Sequence, residues 1–93
     1  MDMDALQARI GEWASKTYPN STLDSKIAHL HREVEELRTE DPLEIADCVM
    51  ILMHEAHRRG LSIADLIEKK FAICQKRKLA APDAQGVVEH IRE

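Results

Sequence analysis

The stretch Glu33-Val34-Glu35-Glu36-Leu37-Arg38-Thr39-Glu40-Asp41-Pro42-Leu43-Glu44-Ile45-Ala46-Asp47 places two acidic pairs on either side of one turn. Asp41 is an N-cap acceptor, Pro42 suits the first helical position, and Glu44 follows at the third, so a helix is expected to begin at Pro42. The preceding helix is expected to end near Thr39. Glu33 with Glu36, and Glu44 with Asp47, are spaced i,i+3, which puts each pair on one helix face. Position 40 is the midpoint both of Glu36 and Glu44 and of Glu33 and Asp47. A short antiparallel hairpin therefore brings the pairs together at matching heights.

Upstream, Leu23, Ile27, Leu30, Val34 and Leu37 form the apolar stripe of the helix before the turn, with its start at Ser21 or Thr22. An earlier helix carries Leu6, Ile10, Trp13 and Ala14 and should stop near Tyr18-Pro19-Asn20. Downstream, Arg58-Arg59-Gly60 marks a helix end, and Ser62-Ile63-Ala64-Asp65 opens a fourth helix that continues to about Lys78. Residues 82–93 read as a loop and C-terminal tail. No period-2 alternation of β-branched residues occurs, so the expected fold class is all-α, as one domain over residues 1–93. A chain of 93 residues has room for one small core, and apolar faces on several sides of its helices imply self-association.

Thirteen Lys and Arg against seventeen Asp and Glu give a formal charge of -4, which disfavours nucleic acid or an anionic membrane as the main partner. Cys48 and Cys74 fall inside helical patterns without a secretory leader, so a cytoplasmic chain with reduced thiols is expected. No apolar run approaches the roughly 20 residues of a membrane span.

The third helix sharpens the reading of the acids. Ile45, Ala46, Cys48, Val49, Met50, Ile51, Leu52 and Met53 surround Asp47 with apolar side chains, so this helix is expected to be largely buried, its one polar strip being Glu44, Asp47, His54 and Arg58, interrupted by Ile51. Carboxylates gathered away from water repel one another unless a cation compensates them. Magnesium suits an all-oxygen ligand set and joins carboxylates to substrate phosphates; Mn2+ is a plausible substitute. Glu33, Glu36, Glu44 and Asp47 are accordingly the candidate metal ligands. The bland alternative is a non-catalytic helical interaction protein with a solvated acidic face. His54-Glu55 does not open a zinc-protease motif, because the next histidine, His57, is at i+3 instead of i+4.

Lys70, Cys74 and Arg77 interrupt the apolar stripe of the fourth helix, made by Ile63, Leu66, Ile67, Phe71 and Ile73. The two cations there could reach phosphate oxygens, or snorkel at the bundle edge. Lys26 and His29 share a side of the second helix with Glu33 and Glu36, where they could touch phosphate or orient a carboxylate. Trp13 could stack on a base or belong to the core. A helix-turn-helix DNA binder, raised by Arg58-Arg59-Gly60-Leu61-Ser62 before a Lys-rich helix, is disfavoured by the acidic net charge.

Glu33-Val34-Glu35-Glu36 followed by Glu44-Ile45-Ala46-Asp47 resembles the ExxE…ExxD signature of MazG-like all-α nucleotide pyrophosphohydrolases. His29-Leu30, Gly60-Leu61-Ser62, Lys70 to Arg77 and Gly86-Val87-Val88-Glu89-His90-Ile91-Arg92 look like its phage dATP/dGTP branch. The resemblance implies a four-helix antiparallel arrangement assembling as a dimer or tetramer, with magnesium at Glu33, Glu36, Glu44 and Asp47. It implies hydrolysis of a nucleoside triphosphate to a monophosphate and pyrophosphate, with purine dATP and dGTP as the expected substrates. The chain departs from the family pattern at Cys74, where Asn is usual, at Leu79, where Trp is usual, and at Arg32, which replaces the first acid of the longer EExxE form. On this reading Glu33 or Glu36 assists deprotonation of water, and Lys70 and Arg77 stabilise the departing pyrophosphate. Lys26 and His29 contact substrate, and His90 and Arg92 complete the pocket from the tail.

Overall fold

The computed structural model describes residues 1–77 and 81–89. Four α-helices follow one another: α1 (Met3–Thr17), α2 (Leu23–Glu36), α3 (Leu43–Arg58) and α4 (Ile63–Lys76). A 3-10 turn, Leu37–Thr39, continues α2 toward the hairpin. No strand occurs among the described residues.

The caps explain the boundaries. Thr22 and Ser25 form a reciprocal capping box at the start of α2, so the second of the two expected starts is the one used. Asp41 Oδ1 accepts from the Leu43 N–H at 3.0 Å, and with Pro42 at the cap α3 begins one residue later than expected. Glu40, the midpoint of the acidic pairs, takes the left-handed conformation (φ 63°) that reverses the chain. Gly60 does the same after α3, with φ 67°. Ser62 Oγ then accepts from the Asp65 N–H at 3.1 Å and opens α4.

Both α1 and α2 run antiparallel to α3. Along α1, Gln7, Gly11 and Ser15 meet positions 61, 57 and 54 in descending order. Along α2, Lys26 pairs with Glu55 while Glu33 reaches Glu44 and Asp47. Gly11 lets α1 approach closely, since a Cβ at that position would overlap the His57 ring. Gln7 is buried and pins α1 to the α3–α4 turn, donating to the Leu61 carbonyl at 2.7 Å and accepting from the Ile63 N–H at 2.8 Å. Its amide leaves neither buried group unpaired.

The expectation that α3 is largely buried is not met within one chain. Only Met53, His54 and Ala56 of this helix are buried, whereas Ile45 is 61% and Leu52 45% exposed. The reason is coverage: α1 and α2 lie against one side, and α4 touches α3 only sparsely. No residue of α4 is buried, and Ile67 and Phe71 are 56% and 62% exposed. The stripe that Lys70 and Arg77 interrupt is therefore an open face of the chain. The Cα radius of gyration is 15.5 Å, against about 12 Å for a compact domain of this length.

Candidate active site

The hairpin brings the acids together. Carboxylate oxygens of Glu33, Glu44 and Asp47 lie within 4.8 Å of one another, and Glu36 is within hydrogen-bonding reach of Glu44. Three of the four expected ligands, Glu33, Glu44 and Asp47, thus gather at the α2–α3 hairpin, and Glu36, which is exposed, lies outside that group but near enough to act on the Glu44 carboxyl. Glu44 Oε2 is closed off from solvent and has no hydrogen-bond partner. Burial, then the charge and hydrogen bond of Glu36, then those of Asp47, push the Glu44 carboxyl up to about 7 from an ordinary 4.5. A cation removes both penalties, by pairing the orphaned oxygen and neutralising the neighbouring charges.

The donor set is one of hard oxygens, which fits Mg2+ or Mn2+ rather than a thiophilic ion. Cys48 adjoins the cluster, but burial and the charges of Glu33, Asp47 and Glu44 push its thiol up, so it stays protonated and a poor ligand. His29 Nε2 lies 3.3 Å from Glu33 Oε1, one turn earlier on α2, and orients that carboxylate. Of the two roles open to His29, this contact supports the second.

A cleft of about 590 Å3 runs from these acids between α1, α2 and α3. Glu33 and Asp47 form its acidic part, and Met50 and Ile51 give it an apolar wall. Trp13, 51% exposed, lines the cleft beside Tyr18, with ring centroids 5.9 Å apart and planes nearly perpendicular. Asn20, Ser21 and Ser25 add polar groups. Tyr18, Asn20, Ser21 and Ser25 also line the cleft although no sequence signal marks them as site residues, since the Pro19 turn that carries the first three bears no periodic pattern; His54, from the polar strip of Asp47, joins them.

Lys26 lines the cleft but is committed elsewhere. It is 6% exposed, and its Nζ lies 3.1 Å from Glu55 Oε1. Glu55 also accepts from Arg58 at 2.6 Å and from Arg59 at 2.6 Å. The Arg58 hydrogen bonds, with those of Arg59 and Lys26, hold its carboxyl far below the usual range against the opposing effect of burial. Lys70 lies on α4 and Arg77 is the extended residue just past its end, short of the expected helix end near Lys78, and neither lines the cleft of its own chain. His90 and Arg92 lie outside the described residues.

Fold and acid cluster together define a MazG-like all-α pyrophosphohydrolase. A solved structure described as a cyanophage S-2L MazG-like pyrophosphohydrolase, bound to dGDP and three catalytic Mn2+ ions per active site, superposes with a TM-score of 0.81. It is 31% identical, and the alignment covers 99% of both chains. The dATP/dGTP pyrophosphohydrolase family profile matches residues 6–93, and the chain belongs to that family. Among curated relatives, a dATP/dGTP diphosphohydrolase of cyanophage S-2L is 34% identical over 90 residues, covering 92% of this chain and 85% of the relative. One of Salmonella phage PMBT28 is 35% identical over 75 residues, covering 77% of this chain but 26% of that longer protein. The protein is an enzyme, a nucleotide pyrophosphohydrolase, and the alternative of a non-catalytic interaction protein falls. No helix among the described residues is long and apolar enough to cross a membrane.

Proposed function

We propose that this enzyme hydrolyses dATP and dGTP to the corresponding monophosphate and pyrophosphate, with Mg2+ as its ion and Mn2+ as a substitute, in the cytoplasm of a bacterial or phage-infected cell. The observation that carries the reading is the acid cluster at the mouth of a nucleotide-sized cleft: three carboxylates within 4.8 Å, one with a buried unpaired oxygen. Its nearest support from relatives is the solved neighbour that binds dGDP and Mn2+.

Glu33, Glu36, Glu44 and Asp47 would hold the ion. A bound divalent ion supplies neutralisation of the triphosphate and a lowered pKa for water. The chain's own residues do the rest. The cleft aligns the α-phosphorus at the acids, so that a water oxygen bonds to it as its bond to the bridging oxygen breaks, and that oxygen leaves with pyrophosphate. The water's proton passes to Glu36 or Glu33; Glu36 is the more exposed, and Glu33 is oriented by His29. Lys70 and Arg77 stabilise the departing pyrophosphate, which requires that α4 of a second copy bring them to the cleft. A dimer or tetramer is thus part of the proposal, and His90 and Arg92 of the tail would complete the pocket.

The test is pyrophosphate release by purified protein with Mg2+ and each deoxynucleoside triphosphate in turn. Turnover of dATP and dGTP is expected, with a loss of about 100-fold or more in Glu36→Gln and Asp47→Asn. No release from either purine substrate would overturn the proposal.

A further inference from the structure

His54 stands seven residues after Asp47 on α3, which is two turns along nearly the same face, about 10 Å up the helix. It lines the same cleft as Asp47 and is buried, 8% exposed. Met50 and Ile51 form the wall between them. With the triphosphate at the acids, a sugar and base lying along that wall would bring the base to His54. Nothing in the proposed hydrolysis uses this histidine, which is too far from the acids to exchange a proton with the reacting water.

Its surroundings fix its character. Ser15 Oγ lies 3.5 Å from His54 Nε2 and is the ring's one hydrogen-bond partner among the described residues. Burial, then the positive charges of Lys26 and His57, hold the imidazole pKa below its ordinary value, with Glu55 opposing weakly. Glu55 keeps the Lys26 ammonium group in place at 3.1 Å. A neutral imidazole has one N–H donor and one acceptor nitrogen. The Ser15 hydroxyl can donate to Nε2 or accept from it, so it serves either tautomer, and an acceptor placed at Nδ1 selects the one with the proton on Nδ1.

Adenine and guanine differ at position 6, an amino donor in one and a carbonyl acceptor in the other, but both present N7 as an acceptor; pyrimidines have no such atom. A single N–H donor aimed at N7 therefore admits both purines and disfavours both pyrimidines. A residue that read position 6 would separate the two purines.

We propose that His54 is the specificity-determining residue for the base, its Nδ1–H donating to purine N7 while the Ser15 hydroxyl pairs with Nε2. The inference rests on the nucleotide substrate proposed above and adds the atom by which the base is chosen.

The experiment compares 7-deaza-dATP and 7-deaza-dGTP, which lack N7, with their parents on the wild-type enzyme and on His54→Leu and His54→Gln. In the wild type the 7-deaza substrates should show KM raised about tenfold, the effect of one lost directional contact, with kcat little changed because the contact is the same in ground and transition states. In His54→Leu each parent and its 7-deaza analogue should become equivalent, and His54→Gln, which keeps an N–H donor, should restore part of the difference. Equal KM for parent and analogue in the wild type overturns the inference without reference to any variant's folding. Trp13, the one tryptophan and a cleft residue, reports binding independently of catalysis. Its fluorescence should titrate at about tenfold lower concentration with dGMP than with 7-deaza-dGMP. A protein that releases no pyrophosphate yet shows this difference refutes the proposed reaction alone; the absence of a difference, or of any binding, refutes the role of His54.

Discussion

At the scale of single residues, Glu44 has the clearest consequence. Without a cation its carboxyl holds a proton up to about pH 7 in the folded protein, whereas an unfolded chain releases it near 4.5. Between these values the folded state binds more protons than the unfolded state, so stability falls as pH rises through that window. The metal-free melting temperature should therefore drop from pH 5 to pH 8, and Glu44→Gln should flatten part of that slope. Near pH 6, binding of Mg2+ should expel a proton, seen as a calorimetric enthalpy that depends on the buffer's ionisation enthalpy. A Glu44→Gln protein with the same pH slope as the wild type would refute the assignment. Lys26 teaches the complementary lesson: its place in the cleft is real, but Glu55 holds its ammonium group, and it shapes the electrostatics of His54 instead of being free to meet phosphate.

At the scale of elements, the α1–α3 crossing depends on Gly11. The side chain of any other residue would have to displace the His57 ring, and the helices cannot separate without disturbing the Gln7 hydrogen bonds to positions 61 and 63. Gly11→Ala should destabilise the fold by about 2 kcal/mol, the usual scale of overpacking, despite its better helix propensity. Denaturant unfolding measures this, and an unchanged or raised midpoint would contradict the close approach. Because α1 forms one wall of the cleft, the same substitution should also weaken nucleotide binding through Trp13 and Tyr18. The α2–α3 hairpin, by contrast, is held by local signals: the Thr22–Ser25 box, the Asp41 cap and the left-handed Glu40.

At the scale of the whole molecule, the open faces of α3 and α4 form the main unsatisfied feature. Ile45, Leu52, Ile67 and Phe71 are all between 45% and 62% exposed, and self-association would bury them. A second copy could cover them, and the roles proposed for Lys70 and Arg77 require that it also bring those cations to the cleft. Light scattering after size exclusion should show a dimer or tetramer, and Phe71→Glu should shift it toward monomer with a matching loss of pyrophosphate release. A monomeric wild type that turns over dATP would refute both the assembly and the placement of Lys70 and Arg77.

The sequence by itself determined the four helices, the turn between the acid pairs and the convergence of Glu33, Glu44 and Asp47, because each follows from spacing within a helix or from caps a few residues away. Helical periodicity identified the faces of α3 and α4 as apolar, but whether this chain covers them depends on the number of helices available to pack against them. The cleft was decided only by tertiary structure: Trp13, Tyr18 and His54 come from different helices and turns, and no periodic pattern records which of them meet. The burial of Lys26 and the lowered pKa of His54 belong to the same class, since a side chain's charge and freedom are set by neighbours distant in sequence. What is local in the chain can be read along it; what arises from elements touching must be read in space.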